Sequence, residues 1–199
     1  MLLKYIFIIS LFVFSCVQNN GNSIKNILPG NYVYWEDLTD NQKDEILNSK
    51  VVNKEALAFY KGERQIGDNN KTIALLDTLS SIINSEEKVT SFYFFLFNQI
   101  CIKADGALSE ILGDYCQRIV LNSPEYVINY FIKNENVLKK YAQYLGYELY
   151  FKEEGTSTIE YNYSDFKKML AGKLKNTEQY KDVLMLFYSE IERSMKNTN

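Results

Sequence analysis

From Val89 to Ile102 the chain reads Val-Thr-Ser-Phe-Tyr-Phe-Phe-Leu-Phe-Asn-Gln-Ile-Cys-Ile, with no glycine or proline. Wound at 3.6 residues per turn, these side chains cover most of a helix circumference with apolar surface. A helix that is apolar all round is buried on all sides. Asn98 and Gln99 interrupt the run, and it is shorter than the roughly 20 residues needed to cross a bilayer. It therefore predicts a central helix that needs other helices around it.

The flanking sequence supplies them. Thr39-Asp40-Asn41-Gln42 has the pattern of a capping box opening a short helix to about Asn48. A second helix is expected across Val52 to Tyr60. Leu75, Leu76, Leu79, Ile82 and Ile83 form one apolar stripe, and Ser85 is placed to cap the central helix. After the reversal at Asp105-Gly106, one face carries Leu108, Ile111, Leu112, Tyr115, Ile119 and Val120. Ser123-Pro124-Glu125 is a helix start, with Pro at the first helical position and an acid in the first turn. Asn134 to Asn136 marks a joint, beyond which Leu138, Tyr141, Ala142, Leu145 and Leu149 make a stripe. Ile159, Tyr161 and Tyr163 alternate, which suits an ordered loop or a brief strand. Ser164-Asp165 and Thr177-Glu178 are read as the starts of the last two helices. The fold class is all-α, an irregular multi-helix bundle of about eight helices; a short solenoid-like stack of helix hairpins is the alternative. No internal repeat is evident.

The N-terminus carries an address. Lys4 precedes an apolar run from Tyr5 to Phe14 broken by Ser10, closed by Val13-Phe14-Ser15-Cys16 and followed by a polar spacer. The run, about ten residues, suits a cleavable signal better than a membrane span. A small residue followed directly by cysteine resembles the lipobox of bacterial lipoproteins, a resemblance confined to the signal peptide. It implies that Cys16 is diacylated and becomes the mature N-terminus, anchoring the chain in a membrane. By the same analogy, Val17 in place of an aspartate implies the outer membrane where the host has one. An ordinary secretory signal that contains a cysteine is the alternative. The expected organisation is a signal peptide at 1–15, a lipidated cysteine and flexible tether at 16–30, and a single helical domain at 31–199. Tyr32-Val33-Tyr34-Trp35 is read as an extended piece or an anchor against that domain.

Charge and composition remove several function classes. Lys4 is the only charge in the leader, so a mature chain keeps 21 basic groups against 25 acidic ones. A net charge of −4 argues against nucleic acid, whose affinity comes from clustered Lys and Arg. The chain has no histidine, which excludes Ser-His-Asp and Cys-His catalysis and removes the commonest transition-metal ligand. Asp68-Asn69-Asn70-Lys71-Thr72 begins like a calcium loop. Ile73 and Leu79, however, stand where such a loop needs glycine and a bidentate glutamate. No metal or cofactor is expected.

Three groups of residues remain as candidates. Cys101 and Cys116 are the only cysteines outside the leader, a candidate disulfide in an oxidising compartment. Straight antiparallel helices reversing at Asp105-Gly106 would offset them by about 9 Å, beyond the roughly 7 Å reach of a bridge. Two separate buried thiols are therefore expected, with a break at Gly113 as the way to a bridge. Tyr144, Tyr147 and Phe151 form a second stripe beside the Leu138 to Leu149 face, a candidate binding surface or a contact with another helix. Asp105 suits a helix cap better than a catalytic carboxylate. Glu86-Glu87 and Glu153-Glu154 suit helix ends and solvated surface, since sequence neighbours do not face one reaction centre. These readings converge on a non-enzymatic, envelope-anchored protein-interaction module, of which an immunity or inhibitor protein is one specific form; a ligand- or glycan-binding lipoprotein with an aromatic surface is the alternative.

Overall fold

The computed structural model describes residues 32–67, 69–82, 87–156 and 159–198. Cys16, the tether, Ile83, Ser85 and Glu86 lie outside the described residues. The described residues form nine α-helices: α1 (Asp40–Leu47), α2 (Lys54–Tyr60), α3 (Asn70–Ile82), α4 (Glu87–Lys103), α5 (Gly106–Asn122), α6 (Pro124–Lys133), α7 (Glu135–Glu153), α8 (Tyr163–Lys173) and α9 (Lys181–Thr198). Short 3₁₀ turns sit at Trp35–Asp37 and Glu178–Tyr180. Among the described residues there is no strand, and no helix long and apolar enough to cross a membrane. The segment from Ile159 to Tyr161 is an ordered loop with Ile159 buried.

Local signals account for most boundaries. The Thr39 hydroxyl accepts from the Gln42 backbone N–H while the Gln42 side chain accepts from the Thr39 N–H, so the capping box at α1 is complete. Pro124 opens α6 at its first position. Asn53 caps α2 through the Glu55 N–H. At α8 the cap is Asn162 rather than Ser164: its Oδ1 accepts from the Asp165 N–H at 2.9 Å. Asp105 also departs from expectation. It stands at the N-cap of α5 but its side chain makes no capping hydrogen bond, and it is exposed.

Helix α4 is the core helix. Phe92, Tyr93, Phe94, Leu96, Phe97, Ile100 and Cys101 are all buried. Around it, α7 is the element that joins the others, packing chiefly against α9 and α5. Those approaches are close enough that two positions exclude a side chain. A Cβ on Gly146 would lie 2.7 Å from the Ile191 carbonyl oxygen and 2.4 Å from the Ser194 Cβ. A Cβ on Gly113 of α5 would lie 2.6 Å from the Tyr144 carbonyl oxygen. The glycines cost helix propensity, and the returned benefit is backbone-to-side-chain contact along two helix pairs.

The N-terminal segment is strapped to α6. The Tyr34 hydroxyl donates to the Tyr126 carbonyl at 2.9 Å, and the Tyr126 hydroxyl donates back to the Val33 carbonyl at 3.1 Å. Tyr32 donates to Glu125 at 2.9 Å and Tyr130 to Glu36 at 2.7 Å. Rings follow the same line: Tyr34 lies 4.9 Å from Tyr126, and Trp35 5.0 Å from Phe92. The aromatic patch at 32–35 thus anchors the entry of the chain onto the domain.

Glycine spacing predicts a contrast. Gly146→Ala places a methyl group against backbone, an overpacking that should cost about 1–3 kcal/mol. Gly172→Ala, in α8 with open space around it, should gain up to about 1 kcal/mol from helix propensity. Denaturant midpoints of the two variants check the difference in sign.

Candidate functional site

Between α7 and α9, with the start of α5 at one side, lies a half-open groove of about 680 Å³. Its α7 wall is Lys139, Lys140, Gln143, Tyr144 and Tyr147, and its α9 wall is Glu190, Arg193 and Ser194. Ser109 and Glu110 of α5 and Ile102 at the end of α4 close one side. The Ser194 hydroxyl donates to the Gln143 carbonyl at 2.8 Å, which clips the walls together at the base.

Tyr144 and Tyr147, taken from the sequence as one stripe, behave differently here. Tyr144 is buried, and its hydroxyl donates to the Cys101 carbonyl at 2.6 Å. That carbonyl belongs to the last turn of α4, where oxygens lack a partner within the helix. Tyr144 therefore caps α4 while lining the groove. Tyr147 is half-buried on the groove wall, its ring 4.8 Å from that of Phe151, which packs in turn on Tyr150 at 5.3 Å. Phe151 supports Tyr147 from behind and does not line the groove.

The groove carries more cation than the acidic chain around it. Lys139 pairs with Glu135 at 2.5 Å and Arg193 pairs with the half-buried Glu190, each pair within one helix. Such pairs are weak and readily exchanged. Lys140 has a different setting: its ammonium lies 5.9 Å from the centre of the Tyr144 ring, within cation–π range. Ile102, 44% exposed, adds an apolar spot at the rim.

Cys101 and Cys116 are both fully buried, without a bond between them. The offset inferred from the sequence assumed two helices running side by side from a hairpin. Instead α5 turns to pack on α7 and continues unbroken through Gly113. Burial above all, and then the influence of Cys101, push the Cys116 thiol up.

Other candidates fall away from any centre. Glu153 is exposed and accepts weakly from the Tyr163 N–H at 3.4 Å; Glu154 is exposed at the end of α7. Asp105 lines a second hollow of about 580 Å³ between the 62–67 turn and the α4–α5 junction. Among the described residues, no three Cys, Asp or Glu side chains are grouped to hold a metal ion. No protein-family model, curated protein or solved structure matches the chain.

Two expectations follow from the tyrosines. Tyr144→Phe should cost about 1 kcal/mol by leaving the Cys101 carbonyl unpaired. Tyr147→Ala should change stability by less than Tyr144→Ala, which empties a buried site; denaturant unfolding of all three variants checks both. Tyr115 donates to Asp77 at 2.9 Å, and burial, followed by that bond, pushes its hydroxyl up to about 12. An unfolded tyrosine ionises near pH 10. Stability from this group is therefore complete below about pH 10 and is lost as pH rises toward about 12. The loss between about pH 9 and about pH 11 should be smaller in Tyr115→Phe, as measured by urea midpoints.

Proposed function

We propose that this chain is an envelope-anchored lipoprotein that works as a non-enzymatic protein-interaction module, with the α7–α9 groove as its contact surface. The groove carries the reading. It is half open to solvent, so a small molecule lying in it would keep part of its surface wet. Ligand pockets instead bury about 70–90% of what they hold. A segment of another protein laid along the groove would meet Tyr147, an amphipathic ring on a semi-rigid support, with Lys140, Arg193 and the apolar Ile102 around it. Tyr and Arg are enriched where protein interfaces hold tightest. Interaction with an inhibited toxin is one specific form, compatible with a small helical body. Lipidation at Cys16 would hold the domain at the membrane, with residues 17–30 as its tether.

Ligand or glycan capture is the second reading, supported by the groove's volume, which falls in the range of small-molecule sites.

Affinity capture with the tagged full-length chain from detergent-solubilised envelopes tests the reading. The wild-type chain should sit in the membrane fraction and retain one protein in fixed ratio at moderate salt. Cys16→Ser should move the chain to the soluble fraction. Tyr147→Ala with Lys140→Glu should cut retention at least tenfold while the helical circular dichroism is unchanged. A folded chain in the membrane fraction that retains no protein would sink the interaction reading and favour the ligand one.

A further inference from the structure

We propose that the α7–α9 groove is held at the end of the domain away from the membrane, so that its occupant is a protein segment presented from the aqueous side and not a lipid surface. The proposal rests on the anchored-lipoprotein reading above; the geometry that separates the groove from the chain entry does not.

The chain enters the domain at one end. Tyr32, the first described residue, donates its hydroxyl to Glu125 at 2.9 Å, and Glu125 is the second residue of α6. The other Glu125 carboxylate oxygen accepts from the Lys175 N–H at 3.1 Å, which brings the α8–α9 connection to the same end. Asn129 fixes the start of α9 nearby. Its side chain donates to the Glu125 carbonyl at 2.8 Å and to the Tyr180 hydroxyl at 3.0 Å, and Tyr180 immediately precedes α9. Helix α5 finishes there too, since only Ser123 stands between its last residue and Pro124 of α6.

Helices α5 and α9 then lead away to the groove. Glu110, near the beginning of α5, and Arg193, late in α9, both line it. Asn122 lies twelve residues beyond Glu110, and Arg193 twelve beyond Lys181. At 1.5 Å per residue each stretch covers about 18 Å. The groove ends of both helices meet on α7, where Gly113 faces Tyr144 and Glu148, and Ile191 and Ser194 face Gly146. Two helices that share neighbours at both ends therefore set the groove about 18 Å from the point of entry.

The anchor acts through that point. Sixteen residues run from Cys16 to the one before Tyr32, and they reach at most about 55 Å when fully extended. A domain joined to a bilayer at one end meets it with that end first. To turn the groove onto lipid, the same stretch must first run about 18 Å back along the domain, losing that much reach and the conformations that go with it. The lining agrees. A face that lies on lipid carries a broad apolar surface or a cluster of cations. Here Ile102 is the exposed apolar side chain at the rim, and Lys139, Lys140 and Arg193 share the lining with Glu110 and Glu190. Mixed charge is what a protein surface can match group by group.

The test places the full-length, lipidated chain in vesicles of phosphatidylcholine and phosphatidylethanolamine, with a small fraction of headgroups carrying an energy acceptor. A fluorescent donor is attached at Lys175→Cys, at the entry, or at Asn197→Cys, in the groove; both positions are exposed. The wild-type chain, whose Cys101 and Cys116 are buried, sets the blank. Transfer from position 175 should be at least twofold more efficient than from position 197, with native helical dichroism in both labelled chains. Deleting residues 19–28 should raise transfer from both positions and keep their order. Equal transfer, or stronger transfer from position 197, would overturn the proposal. So would lipid adducts formed by a photoreactive group on the same Asn197→Cys thiol. A chain that does not float with the vesicles sinks the anchored reading and this proposal together. A chain that floats with its groove against lipid sinks this proposal alone.

Discussion

Everything else in the domain is arranged around the approach of α7 to its two neighbours through glycine. At Gly146 the α9 backbone comes within the space a methyl group would occupy, and at Gly113 the α7 backbone does the same to α5. Close-packed interiors leave no slack for such positions to be filled without displacing a helix. With α7 held on both sides, its remaining face meets α4, whose apolar surface is otherwise covered chiefly by α3, with α1, α2 and the Trp35 turn. The groove is a by-product of the same contact. Two helices pressed together at Gly146 and clipped by Ser194 to Gln143 form its walls, lined by Lys139, Lys140 and Arg193.

The abundance of tyrosine also has a structural reason. A buried phenol must place its hydroxyl against a partner, and several do so on groups that the helices leave unpaired. Tyr144 takes a C-terminal carbonyl of α4, Tyr93 accepts from the Asn53 N–H at the start of α2, and Tyr34 and Tyr126 donate to the carbonyls of Tyr126 and Val33 respectively. Tyr180 accepts from the Asn129 side chain, tying the turn before α9 to α6. Each bond contributes about 1 kcal/mol net. Their larger effect is on specificity, because a shifted helix would strand a polar group in the core.

The parts legible in the sequence are those decided within a few residues. The capping box at Thr39, Pro124 at the start of α6, and the apolar stripes of α5 and α7 need only local spacing. So does the all-round burial of α4. Asn162 was legible by the same rule, with Asp165 three residues on, but Ser164 next to it drew the cap assignment. What could not be read depends on how helices cross. Rise per residue gives distance along an axis and says nothing of the angle between axes, so the packing of α5 on α7 was out of reach. A glycine inside a helix reads as a cost until the neighbour that needs its missing side chain is known. Tyr144 and Tyr147 share a stripe in projection, yet α4 reaches one and not the other.

Tyr144 connects the two features that matter most. Its ring lines the groove beneath Lys140, while its hydroxyl holds the carbonyl of Cys101 and its own carbonyl faces Gly113. The last turn of α4 and the groove are therefore opposite sides of one side chain, with little material between them that could absorb a displacement. Packed interiors transmit strain, so a change in where α4 ends must reposition Tyr144 and, through it, Lys140 at the groove wall. Stiffening that contact narrows the range of positions available to that wall. For a surface whose affinity depends on holding a few anchors in place, lost motion before binding is lost entropy that binding no longer has to supply.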